Sequence, residues 1–436
     1  MQVSFRFAVP GGVGGRGRRV DAFAGRQKPV ICNDPCARRA THTVSLYPVN
    51  FAFDDQQLLI RESVSKLCSG FDDAYWLERD CSATFPEAFY RAIADAGWLG
   101  VAMPEEYGGS GLGITEAAIL MQTIAESGAA MSGASAVHMN IFGLQPVVVF
   151  GSDEQKRRML PPLIRGEHKA CFAVTEPDAG LNTTQIRTRA ERRGDVYVLS
   201  GSKIWISTAQ VASKALILAR TTPLEQVEQR TAGLSLFYTD LDRAHVEARV
   251  IRKMGRHAVD SNMLFFDRLE IPEADRIGPE GAGFKSILHG LNPERILVAA
   301  EAVGIGRAAL RKAAAYAKER VVFDRPIGQN QGIQHPLARC WMHLEAANLM
   351  VFKAAALYDE GKECGAEANA AKYLAGEAAF TACETAVMTH GGMGYSSEYH
   401  VERYMRECMI TRIAPVSPHM IMNYIAERVL GLPKSY

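Results

Sequence analysis

The sequence predicts an α+β multidomain chain: a helical domain, then a β domain, then a second helical domain. Three observations predict it. Apolar residues recur at helical spacing between 51 and 169, short β-type runs crowd residues 170–280, and alanine-rich helical periodicity fills 281–436. Helices and strands do not alternate, so a doubly wound parallel sheet is excluded. The chain has 436 residues, enough for two or three packed units.

In the first helical stretch Leu58, Ile60, Val64 and Leu67 fall near helical spacing, as do Phe89, Ile93 and Ala96, and then Ile119 and Ile124. Pro104-Glu105-Glu106-Tyr107-Gly108-Gly109 reads as a turn-rich link between helices. In the middle stretch Val196, Val198, Ile204 and Ile206 mark short runs with Ser200-Gly201 between them, which predicts a tight turn there. Further β-type runs follow at 215–219, 234–238, 246–251 and 263–266. From 281 onward Ile296, Ala300, Val303 and Leu310 mark one helical face. Alanine-rich segments at 313–317, 354–356 and 368–382 suit close helix packing.

Composition narrows the function classes. Lys plus Arg is 49 and Asp plus Glu 48, so no global field favours nucleic acid or a membrane surface. No uninterrupted run of eighteen apolar residues exists, so no membrane span is expected. Nine scattered cysteines suit a reducing compartment better than a disulfide framework. Cys32 and Cys36 lack a partner motif, so no metal site is expected. Residues 1–50 hold seven Arg and one Lys against two Asp, with six Gly, and read as a disordered leader or a misassigned start. As an organelle transit peptide this leader implies the mitochondrial matrix; otherwise a bacterial cytoplasm is expected. Gly12-Val13-Gly14-Gly15-Arg16-Gly17 matches a dinucleotide fingerprint in letters only, because no strand–turn–helix pattern surrounds it.

Three motifs carry the chemistry. They are Thr175-Glu176-Pro177-Asp178-Ala179-Gly180, then Lys203-Ile204-Trp205-Ile206-Ser207, then His390-Gly391-Gly392-Met393-Gly394-Tyr395. In this order they resemble the acyl-CoA dehydrogenase family of flavoenzymes, from about Phe51 to Pro433. The resemblance implies that family's fold, with a β-barrel-like central domain and a C-terminal helical bundle, and FAD as cofactor. It implies FAD contacts from Phe172, Val174, Thr175, Trp205, Ile206, Ser207 and Ser417. A strand end turning through a loop exposes backbone N–H groups that can hold such a cofactor. Arg320, Phe323 and Gln331 lie in Arg320-Val321-Val322-Phe323-Asp324-Arg325-Pro326-Ile327…Gln331, which resembles the family segment that reaches the FAD of a neighbouring subunit. Gly391, Gly392 and Gly394 let a backbone approach the nucleotide closely. A homo-oligomer, dimer or tetramer, with a shared FAD site follows. Leu181, Met388 and Asp324 stand where the family has Ser, Gln and Gly, and Leu181 would meet substrate without a hydrogen-bonding group.

Dehydrogenation needs a carboxylate beside the substrate α-carbon. Many members of the family place that Glu in the stretch matching Ile413-Ala414-Pro415-Val416-Ser417, but Pro415 occupies its position. The isovaleryl- and long-chain-type members place Glu on an earlier helix before an Arg, matching Asn292-Pro293-Glu294-Arg295. The resemblance therefore implies Glu294 as catalytic base, in an apolar closed pocket suited to proton abstraction, with Asn292 lining the substrate site and Arg295 a substrate-pocket or structural cation. Taken alone, Asn292, Pro293 and Glu294 also read as an ordinary helix start. Pro415 brings no N–H to the thioester oxygen. The implied activity is FAD-dependent conversion of an acyl-CoA to the trans-2-enoyl-CoA, with electrons passed to an electron-transfer flavoprotein. An acyl-CoA oxidase and an FAD-binding scaffold without turnover are the alternatives.

Overall fold

The computed structural model describes residues 52–435, so the expectations for the leader lie outside the described residues. The first helical domain holds α1 (Asp55–Cys68), α2 (Asp73–Ser82), α3 (Glu87–Asp95), α4 (Ile114–Ile124), α5 (Ala130–Ile141), α6 (Gln145–Phe150) and α7 (Asp153–Ile164). Asp54 and Gln57 close a capping box on α1, and Ser152 and Gln155 another on α7, so both helices begin where side chains satisfy their first N–H groups. Of the predicted stripe on α1, Ile60 and Val64 are buried; Leu58 is exposed and Cys68 takes the inner position.

The β domain contains β1 (Ala170–Ala173), β2 (Arg189–Arg193), β3 (Val196–Ser207), β4 (Lys214–Arg220), β5 (Leu234–Asp240), β6 (Val246–Val250), β7 (Ser261–Pro272) and β8 (Arg276–Ile277). Its sheet runs β6-β7-β3-β2-β4-β5-β8, and β1 pairs in parallel with the first half of β4. Ser200-Gly201 is not a turn. β3 runs straight through it, and the register against β7 slips between Leu199 and Gly201. Gly201 is required there for another reason: a Cβ would stand 2.7 Å from the Thr188 backbone. The turn lies earlier, at Gly194-Asp195, where Arg193 pairs with Val196.

The second helical domain comprises α8 (Gly283–His289), α9 (Leu291–Glu319), a short hairpin of β9 (Val321–Val322) and β10 (Arg325–Pro326), then α10 (Gln331–Asp359), α11 (Gly365–His390), α12 (Val401–Ile413) and α13 (Pro418–Tyr424). The two helical domains share one interior. Trp76, Phe89, Ile119 and Val137 from the first pack in the same cluster as Ile296, Val303, Leu344 and Tyr404 from the second. Glycine makes the closest approach possible: a Cβ on Gly304 of α9 would meet the Gln122 carbonyl oxygen of α4 at 2.4 Å. Residues 114–150 are apolar enough over their length to cross a membrane, but 72% of the relevant window is buried inside the protein. Their apolar character is that of core helices.

Candidate active site

The loop after β1 and the end of β3 meet. The Ile204 N–H donates to the Thr175 carbonyl at 2.9 Å, and the fully buried Lys203 ammonium donates to the Val174 carbonyl at 2.8 Å. Lys203 also reaches Glu176 at 2.9 Å, and that carboxylate accepts from the N–H groups of Arg187 and Thr188. Glu176 is thus the knot that ties the 175–188 loop to β3. Burial pushes the Lys203 ammonium down to about 8, against the pull of Glu176.

Trp205 faces outward because β3 bulges. Lys203 pairs with Leu264 and Ile206 with Asn262, so β3 carries one residue more than β7 over this span. The bulge puts Trp205 at φ +64, a conformation that bulky residues rarely adopt, and leaves it 56% exposed. Ile206 turns the other way. Its side chain is buried in the sheet interior, so only its backbone can face a cofactor. Ser207 ends the strand with its hydroxyl oxygen accepting from Arg256 at 3.0 Å.

Glu294 lies in the first turn of α9. Its Oε2 is 2.7 Å from Nε2 of His138 on α5, and Nδ1 of that imidazole is 2.7 Å from Oε1 of Glu301. Glu294 and Glu301 are seven residues apart, two turns along one face of the helix. The expected apolar pocket around Glu294 is therefore corrected: its side chain is 28% exposed and its immediate partner is an imidazole. Burial by itself drives His138 toward the neutral form. The two carboxylates overcome this and hold its proton well above the usual histidine range.

Two anchors fix His138. The N-terminal turn of α5 is capped by Glu407 of α12, which accepts from the Ser132 N–H at 2.8 Å and the Ser132 hydroxyl at 2.7 Å. Arg256, in the segment between β6 and β7, bridges the sheet and the helix. One guanidinium nitrogen donates to Ser207 and the other to Ser135, each at 3.0 Å. Ser135 is one helical turn before His138, so the strand end carrying Trp205 and the helix supporting Glu294 are tied through one side chain.

The other predicted residues fall in three places. Arg295 donates to Asn292 at 2.9 Å and lies among Glu294, Cys364 and Tyr424; its buried Nε has no partner among the described residues. Leu181 is exposed on the loop after Gly180. Ser417 caps α13, its hydroxyl accepting from the Met420 N–H at 3.3 Å. Arg320 and Gln331 are exposed on either side of the β9–β10 hairpin, and Phe323 at its tip is 93% exposed. Phe323 and Asp324 both take positive φ, so Asp324 accepts a conformation that glycine adopts without strain. Gly391 ends α11 at φ +61, and a Cβ on Gly391 or Gly392 would meet nothing within 4 Å. Gly394 is buried, and a Cβ there would strike the Val387 carbonyl, so its role is packing. No metal-ligating cluster occurs among the described residues.

This arrangement fits FAD. The bulge offers an outward aromatic face beside the backbone of Val174 and Thr175, and the open space over Gly391 and Gly392 leaves room for a nucleotide. His138, Glu301, Arg256 and the Glu176–Lys203 pair are additions that the sequence reading did not contain. One sign was available: Glu301 is a lone acid inside the apolar run Ile296–Ile305, on the same face as Glu294.

Comparison with known proteins agrees with this architecture. The N-terminal, middle and C-terminal domains of acyl-CoA dehydrogenases match residues 54–167, 171–269 and 281–430. The acyl-CoA dehydrogenase FadE12 of Mycobacterium tuberculosis is 36% identical over 392 residues, 89% of this chain and 99% of its own length. CarC, a subunit of the caffeyl-CoA reductase–Etf complex of Acetobacterium woodii, is 34% identical over 336 residues, 76% of this chain and 86% of its own. The structure of butyryl-CoA dehydrogenase from Megasphaera elsdenii superposes with a TM-score of 0.83 at 30% identity, covering 88% of this chain and all of that one. With matches across all three domains, the chain belongs to the acyl-CoA dehydrogenase family of FAD-dependent oxidoreductases that act on acyl-CoA thioesters.

Proposed function

We propose that this protein removes two hydrogens from a saturated acyl-CoA to give the trans-2-enoyl-CoA, with Glu294 as the base, and that its electrons pass to an electron-transfer flavoprotein. The observation that carries the reading is the Glu294 carboxylate, fixed by His138 and referenced to the Trp205 strand end through Arg256. FAD bound at that strand end supplies the acceptor for the β-hydrogen and its electron pair. Glu294 takes the α-proton on the oxygen that His138 leaves free. Val174, Thr175, Trp205 and Ser207 hold the cofactor from this subunit. Arg320, Phe323, Gln331, Gly391 and Gly392, all on exposed surface, serve the site of a neighbouring copy. Pro415 offers neither a carboxylate nor an N–H, which leaves the basic role to α9.

The CarC relative, by name part of a complex with an electron-transfer flavoprotein, supports the choice of acceptor. The helix-borne base points by analogy to branched or long acyl chains. The test is anaerobic mixing of the yellow protein with acyl-CoAs varied in length and branching. The expected result is bleaching that persists for a time on admission of air. Rapid peroxide formation would make the protein an oxidase instead. Glu294→Gln is expected to keep FAD and lose bleaching by roughly 10²–10⁴-fold, the usual worth of a general base. An active Gln variant refutes the assignment.

A further inference from the structure

We propose that His138 is a positioning residue for Glu294, and that Glu301 makes it one by keeping the imidazole doubly protonated. This rests on the reading of Glu294 as base. Both ring nitrogens of His138 face carboxylate oxygens at 2.7 Å. A neutral imidazole has one N–H and one lone pair, so it can satisfy one ionised carboxylate and must repel the other. The group therefore shares two protons between three residues. One proton lies between Nδ1 and Glu301. The other has two places to rest: on Nε2, which leaves Glu294 ionised and able to accept, or on Glu294 Oε2, which occupies the base. A negative Glu301 behind the ring favours the imidazolium and hence the first arrangement.

The charges around the group do not cancel this effect. Glu407 of α12 is tied to Ser132 and Arg403, and Arg256 from the segment between β6 and β7 lies within the field of Glu301 and Glu407. Arg295 lies within the field of Glu294 and is bonded to Asn292. In a reaction cycle the α-proton goes to the free oxygen, Oε1, while Oε2 stays bonded to His138. The imidazolium both aims the carboxylate and keeps its second oxygen engaged. A histidine serving only to pack α5 against α9 would not need two acids.

The test is the pH profile of flavin bleaching by stopped flow. The probe is whichever straight-chain acyl-CoA from butyryl- to palmitoyl-CoA reduces the wild type fastest. Glu301→Gln keeps the size and a hydrogen bond to Nδ1 but removes the charge that favours imidazolium. Its acidic limb is expected to move up by about one pH unit, a roughly fivefold loss of rate at the wild-type midpoint, approaching about tenfold below it, that recovers in alkali. His138→Gln is expected to shift the limb in the same direction and lower the plateau as well. FAD content and the thermal midpoint report folding, and Glu301→Gln decides the matter alone if His138→Gln does not retain FAD. A folded, FAD-loaded Glu301→Gln protein with a profile superimposable on the wild type overturns the proposal while leaving Glu294 as base. An active Glu294→Gln protein overturns the base itself.

Discussion

At the scale of single residues, the site depends on charges that are buried and paired. Lys203 has no solvent exposure and, among the described residues, a single carboxylate partner, Glu176, which also gathers two backbone N–H groups. Replacing Glu176 by Gln leaves an ammonium buried without its counter-charge. The expected cost is about 3–5 kcal/mol of stability, accompanied by loss of FAD, read from denaturant unfolding and from flavin absorbance after gel filtration. A drop below about 1 kcal/mol would mean that the loop is held by something else. How far such residues can be read from sequence depends on whether their partners are local. Glu294 was identifiable as a candidate base, the role proposed above, because Asn292, Pro293 and Arg295 stand beside it and Pro415 removes the competing position. His138 was not. It is one histidine in the apolar run Ala136-Val137-His138-Met139, 156 residues from its carboxylate, and no periodicity links positions so far apart. The Glu176–Lys203 pair was hidden in the same way: each lies in a recognised motif, but only the meeting of the loop after β1 with β3 brings them together.

At the scale of elements, α9 carries both acids and is pressed against α4 at Gly304. A methyl group there would stand 2.4 Å from the Gln122 carbonyl oxygen and 3.0 Å from the Glu126 nitrogen, and backbone atoms cannot yield as a side-chain tip can. Alanine gains about 1 kcal/mol of helix propensity over glycine, yet overpacking costs about 1–3 kcal/mol. Gly304→Ala is therefore expected to be net destabilising in thermal unfolding, with slower flavin reduction as α9 shifts against His138. A variant more stable than the wild type would show that the helices part freely. Helix existence was plain from the sequence, since apolar spacing in α9 is regular and alanine fills α11. The Ser200-Gly201 turn was misread because a glycine beside a serine carries the same local signature in a turn and in a strand crossed closely by a neighbour. Only the register against β7 and the nearness of Thr188 distinguish the two.

At the scale of the whole molecule, the order helix, sheet, helix was legible from the change of period at about 170 and again at about 280. That the two helical domains merge into one interior was not, because a lone sequence does not show which apolar faces meet. The second domain keeps Phe323, Trp341, Met342, Met388 and Tyr395 on its surface, more large apolar groups than solvent alone would favour. They suit contact with the neighbouring copy that the proposed shared FAD site calls for. Phe323→Asp is expected to lower the mass seen by light scattering and the FAD retained, with helix content by circular dichroism unchanged; an undiminished oligomer would place the interface elsewhere. The Arg256 bridge has one more consequence. A guanidinium is a flat, inflexible plate, and here one edge is fastened to the end of β3 and the other to α5. The spacing between strand end and helix is consequently gauged by a fixed rule and not only by how tightly greasy side chains happen to settle. Under the function proposed above, interior substitutions that spare this bridge leave the oxidant and the proton acceptor at their set distance.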